Sequence, residues 1–114
     1  MGNNRTLDKD ELLKRFDGEK EFLAELIEIF VNDSTEQLSE IHKAVGNRNG
    51  KDLEKSAHKL KGAIANFEQK AAFEAALTIE VMGKENRLDG AEEAYNTLAN
   101  EVDHLVNALK EFVK

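Results

Sequence analysis

Apolar residues recur along this chain at alternating spacings of three and four, and the recurrence divides it into five helical segments. The first predicted helix is short, from about Asp8 to Phe16, and offers only Leu12, Leu13 and Phe16 as apolar contacts, so it reads as a cap on a bundle. The second runs from about Glu19 to Val45 and turns Leu23, Leu26, Ile27, Phe30, Leu38, Ile41 and Val45 inward, with a bend expected near Asp33-Ser34. At ~1.5 Å per residue it should span ~40 Å. The third, from about Lys51 to Asn66, carries Leu53, Ala57, Leu60, Ile64 and Phe67 as one narrow buried stripe. The fourth, about Lys70 to Lys84, contributes Ala72, Phe73, Ala76, Leu77 and Ile79. The fifth, about Gly90 to Val113, repeats Ala91, Tyr95, Leu98, Val102, Leu105, Leu109 and Phe112. Breaks at Asp17-Gly18, Gly46 to Gly50, Phe67 to Gln69 and Asn86 to Gly90 leave only short connections. Long amphipathic helices with short loops bury their stripes most simply side by side and alternating in direction. The predicted fold is therefore all-α, an antiparallel up-down four-helix bundle with a short additional N-terminal capping helix.

Composition narrows the function more than the fold. At 114 residues the chain is expected to be a single domain over 1–114, with one core and no room for a catalytic domain beside a regulatory one. It contains no proline, and 34% of its residues are charged, which favours helix throughout. The absence of cysteine excludes a disulfide framework, thiolate metal sites and thiol nucleophiles, and fits a cytoplasmic setting. No stretch approaches the ~20 apolar residues that a bilayer requires, and neither a signal peptide nor a membrane anchor is expected. A net charge of −7 sets the chain against nucleic acid, whose phosphate backbone needs a basic face. Any anion site must be local.

Three histidines, His42, His58 and His104, are the side chains able to act as nucleophile or base near neutral pH without large shifts. On the third helix His58 lies ~120 to 140° from the centre of the apolar stripe at Ile64 and should face solvent. Lys61 and Gly62 follow at three and four residues, on the same outer surface. A glycine inside a helix costs about 1 kcal/mol relative to alanine, which suggests that something approaches the backbone there and reaches the imidazole. Lys55, Lys59 and Lys61 would make a basic patch around it on an otherwise acidic protein. Periodicity alone leaves a second reading open, in which His58 is a solvated helix residue and Gly62 marks close helix packing.

The string His58-Lys59-Leu60-Lys61-Gly62-Ala63-Ile64-Ala65-Asn66-Phe67 resembles the signature of histidine-containing phosphotransfer (HPt) domains, His-x-Leu-Lys-Gly followed by small residues and then an apolar one. The resemblance covers nearly the whole chain: Leu7-Asp8, the Phe30 to Ser34 run, Ser56-Ala57 and the Ala76 to Glu80 segment also fall where that family has similar residues. It implies a phosphorelay intermediate. His58 would accept a phosphoryl group from an aspartyl phosphate on a receiver domain and donate it to an aspartate on another receiver. Lys61 would balance phosphoryl charge, Gly62 would provide clearance, and Glu80 would orient the imidazole through its other ring nitrogen. The receiver, part of a response regulator or hybrid histidine kinase, would bring the acidic pocket and the magnesium ion, so no cofactor is expected here and the chain would be a monomeric phosphocarrier and not an enzyme. No nucleotide-binding glycine loop is present. Lys55 and Lys59, with Phe22 and Ile29 ~100° off the buried stripe of the second helix, are candidate partner-binding residues. In one respect the sequence departs from the family: Glu68 stands where a glycine or other small residue commonly ends the third helix, which puts the geometry of that junction in doubt.

Other classes remain to be weighed. A helical adaptor would bind a receiver without being phosphorylated, and the phosphoacceptor domain of a chemotaxis-type or hybrid sensor kinase would take its phosphoryl group from a kinase domain. Glu101-x-x-His104 has the spacing used in di-iron bundles, but no second copy is present, and Val102 and Leu105 keep the fifth stripe apolar. No metal is therefore expected. His42, beside Ile41, reads as a solvated helix residue.

Overall fold

The computed structural model describes residues 9–113, and every regular element among them is helical. The helices are α1 (Lys9–Arg15), α2 (Lys20–Gly46), α3 (Gly50–Ala65), α4 (Lys70–Lys84) and α5 (Ala91–Phe112), each close to its predicted bounds. Leu7 and Asp8, and with them the predicted start of α1, lie outside the described residues. From α2 onward each helix packs on the next, and α2 also packs on α5, so the four close into a ring whose short connections make neighbours antiparallel. The long dimension of 42 Å is the length of α2, whose 27 residues rise ~1.5 Å each. Among the described residues no helix is long and apolar enough to cross a membrane.

The predicted stripes meet at the centre of the ring. Leu23, Ile27 and Ile41 of α2, Leu53, Leu60 and Ile64 of α3, Ile79 of α4, and Leu98, Leu105 and Leu109 of α5 are all fully buried. Phe30 and Phe67 close one end edge to face, with ring centroids 5.3 Å apart. One expectation is corrected. Leu77 is 38% exposed and not part of the core; it sits ~100° beyond Ala76 on the wheel, so the buried stripe of α4 narrows to Ala72, Ala76, Ile79 and Gly83. Through Asp33-Ser34 the helical hydrogen bonding of α2 runs without a break. Ser34 is buried there and its hydroxyl donates to the Val31 carbonyl at 3.2 Å, so the polar group is satisfied inside the helix.

Two backbone features place α3 against α4. Near the start of α3 and the end of α4 the helices touch main chain to main chain: a Cβ on Gly83 would lie 2.6 Å from both the Gly50 carbonyl oxygen and the Glu54 nitrogen, and a Cβ on Gly50 would lie 2.9 Å from the Gly83 carbonyl oxygen. At their other ends the chain reverses at Glu68, which takes the left-handed conformation (φ 52°) that glycine adopts most easily. The departure from the family pattern therefore leaves the helix stop in place. Asp17, Arg48 and Asn86 do the same at the other three junctions (φ 55°, 50° and 54°). Helix α1 is pinned across this end by buried Leu12, by Phe16 against Phe22, and by Arg15, whose Nη2 donates to the Ala65 carbonyl at 3.2 Å. That contact serves the last turn of α3, which has no basic residue of its own.

Because main chain on both sides blocks any side chain at the crossing, Gly83→Ala is expected to cost about 2–3 kcal/mol of stability in urea denaturation. Glu68→Gly should act oppositely, raising stability by about 0.5–1 kcal/mol in the same assay by relieving the left-handed strain, since the Glu68–Arg15 ion pair it removes is solvent-exposed and contributes little.

Candidate functional site

His58 occupies the outer face of α3, with its side chain 68% exposed. Its Nδ1 lies 2.9 Å from Oε2 of Glu80, which projects from the middle of α4 and is largely covered. The other carboxylate oxygen, Oε1, lies 2.7 Å from the ammonium of Lys61, one turn beyond His58. Lys61 is itself only 18% exposed, unusual for a lysine, and its Nζ sits 5.7 Å from the centre of the Phe73 ring. Glu80 thus joins the imidazole to the cation, one oxygen to each.

The chemistry of this bridge assigns the tautomer. Burial raises the Glu80 carboxyl, but the hydrogen bonds from Lys61 and His58 and their charges outweigh it and hold the group below its ordinary value of 4.5. An ionised carboxylate only accepts hydrogen bonds, so Nδ1 of His58 is the ring nitrogen that carries the proton. Nε2 is left with a lone pair directed away from the carboxylate, toward solvent. Gly62, on the next turn, is exposed, and a Cβ built there would meet nothing within 4 Å. The protein's own packing does not demand a glycine at this position, in contrast to Gly50 and Gly83.

The surroundings are more mixed than an imidazole ringed by cations. The shallow depression beside His58 is lined by Lys55 and Lys59, but also by Glu40 of α2 and Glu54 of α3. Lys55 and Lys59 are exposed, while Lys61 is turned inward onto Glu80. Phe22 and Ile29 are 50% and 56% exposed; both lie on α2, whereas the groups bonded to the imidazole and its carboxylate come from α3 and α4. Leu77 joins them as an exposed apolar residue one turn before Glu80. Sequence reasoning missed Gly83 and the Phe73 contact. The first had a readable signal, the same internal-glycine cost that singled out Gly62; the second had none, since Phe73 also fits the apolar stripe.

The other histidines differ. His42 is not simply solvated: its ring stacks on Tyr95 at 4.5 Å between centroids, and its Nε2 lies 3.2 Å from Oε2 of Glu92. Burial, with the charge of Glu92, pushes the Tyr95 hydroxyl above its ordinary range. His104 is exposed on α5, and among the described residues no three His, Cys, Asp or Glu side chains gather where they could hold one ion.

Glu80→Gln tests the bridge, because it keeps an acceptor for Nδ1–H but removes the charge that holds Lys61. A carboxyl held low in the fold stabilises it above its ordinary value, and that contribution is lost as pH falls through the folded-state value. The variant should therefore be less stable than the parent by about 1–2 kcal/mol near neutral pH, with the gap closing below pH 4.5, as read from urea denaturation across pH.

Comparison with known proteins bears on the family of the chain. Over 110 residues the chain is 28% identical to a protein of Dictyostelium discoideum described as the phosphorelay intermediate protein rdeA, an alignment that covers 96% of this chain and 43% of that protein. The chain thus spans less than half the length of this relative. No solved structure gives a significant match. A family model described as the Hpt domain matches residues 25–108, a span that holds His58, its Glu80 and Lys61 partners and all four helices of the ring apart from their ends, and the chain belongs to the Hpt-domain family.

Proposed function

We propose that the chain is a phosphocarrier of a phosphorelay, with Nε2 of His58 as the atom that receives the phosphoryl group from a receiver-domain aspartyl phosphate and donates it to the aspartate of another receiver. One observation carries this reading: an exposed imidazole whose Nδ1 is tied to a carboxylate, so that the outward nitrogen is the one with a free lone pair. In the forward step the Nε2 lone pair attacks phosphorus, the bond between phosphorus and the aspartyl oxygen breaks, and the aspartate leaves as a carboxylate on the receiver. The ring gains positive charge as the N–P bond forms. Glu80, hydrogen bonded to Nδ1–H, stabilises that charge, as the buried carboxylate does in a serine-protease triad. Because the ring keeps its Nδ1 proton, it remains a good leaving group, and the reverse transfer to a second aspartate meets a comparable barrier.

The rest of the surface serves positioning and charge, which dominate phosphoryl transfer. Gly62 leaves the approach to Nε2 open. Lys61, one turn from the ring, cancels the Glu80 charge that would otherwise oppose the phosphoryl group, and Lys55 and Lys59 with Phe22 and Ile29 dock the receiver. The magnesium ion and acidic pocket belong to the receiver, so the chain works without a cofactor or ATP site of its own, as a monomer.

The test is incubation of the purified chain with receivers charged by a small-molecule phosphodonor. The parent should acquire acid-labile phosphate and His58→Gln none, while still binding the receiver; uptake by His58→Gln, or labelling of the parent by ATP alone, would overturn the reading. Gly62→Gln should separate function from folding. A better helix former at an unobstructed site should raise stability by about 0.5 kcal/mol, yet the side chain should slow transfer at least about tenfold by obstructing in-line approach.

A further inference from the structure

We infer that Phe73 is a positioning residue for His58, acting through Lys61 and Glu80. The inference rests on the phosphocarrier reading for its consequence but on geometry for its content. Phe73 lies in the first turn of α4, seven residues before Glu80 and so on the same face of the helix two turns away. Lys61 reaches across from α3 to sit between them, its ammonium 5.7 Å from the Phe73 ring centre and 2.7 Å from Glu80 Oε1. Four side chains from two helices therefore form one series, Phe73 to Lys61 to Glu80 to His58.

Each contact in the series constrains the next. A lysine in water has many rotamers, and holding its ammonium in one largely covered position requires more than a single carboxylate oxygen. The π face of Phe73 supplies a second attraction and excludes water from that side. With Oε1 occupied by the ammonium, the carboxylate is fixed about its last torsion and Oε2 is the oxygen presented to Nδ1. Without that anchor Glu80 samples other orientations, and a neutral imidazole lacking its acceptor divides its proton between both nitrogens. Every ring protonated at Nε2 lacks the outward lone pair. Phe73 thus biases the ring toward the tautomer that can take up a phosphoryl group, without touching the ring or the reacting atoms.

The readout is the tautomer ratio of His58 in nitrogen-15 spectra of the full chain, recorded at an alkaline pH at which the spectra themselves show the ring to be neutral. Phe73→Leu keeps apolar bulk but removes the π face; it should lower the ratio of Nδ1–H to Nε2–H rings about two- to fivefold, the weight of a partly exposed cation–π contact. Phe73→Tyr, which keeps the ring, should restore it. Lys61→Met should shift the ratio in the same direction, and Phe73→Leu added to Lys61→Met should shift it no further. An unchanged ratio in Phe73→Leu, or a second shift of full size in the double variant, would overturn the inference, and the double-variant comparison stands even if Phe73→Leu folds less stably. Phosphoryl uptake should fall in proportion to the fraction of rings protonated at Nδ1, r/(1+r) for a ratio r, with receiver affinity unchanged. A shifted ratio in a chain whose parent takes up no phosphate would sustain the positioning role and refute the phosphocarrier reading instead.

Discussion

The main-chain contact between α3 and α4 at Gly50 and Gly83 is the constraint on which the site depends. Side chains of ordinary size at that crossing would hold the two helices farther apart. Glu80 lies one turn before Gly83 on α4, and His58 two turns after Gly50 on α3. A carboxylate on one helix can reach an imidazole on the other at 2.9 Å only where the axes are close. The left-handed residue Glu68 at the opposite end of the pair and Arg15 over the last turn of α3 complete the clamp. The two glycines thus give up helix propensity at one end of the pair, and the gain appears as geometry in the middle.

Charge is arranged economically around this contact. The protein is acidic overall, and an unpaired carboxylate beside a nucleophile would repel any incoming anion. Glu80 avoids this because the Lys61 ammonium neutralises it on the side away from the ring. The carboxylate then acts on the imidazole as a directional acceptor with little surplus negative field. Lys55 and Lys59, which remain exposed, supply the outward positive charge, tempered by Glu40 and Glu54 in the same depression.

Much of this was legible in the order of residues. The period of the apolar positions located five helices, and the all-α bundle followed because stripes of that width have to be covered by neighbours. The exposure of His58 and the open space at Gly62 could be read by counting angles from Ile64, since both depend on a single helix. Glu80 could be named through the family pattern, but its distance could not. Leu77 was misjudged because an apolar residue at the margin of a stripe is covered or not according to how a neighbouring helix is rotated, and no single-helix count contains that rotation; His42 is exposed as read, but its stacking on Tyr95 depends on the same rotation.

The sequence alone therefore determined the helices, their buried faces and the side of α3 on which the imidazole stands, because those properties arise from local periodicity and the preference of apolar groups to leave water. Tertiary structure decided that Glu80 divides its two oxygens between His58 and Lys61, that Phe73 lies over the ammonium, and that Gly83 brings the helices close enough for both. Such contacts join residues 12 to 33 positions apart in the chain, and their geometry depends on interaxial distance and rotation, which only the packed bundle sets.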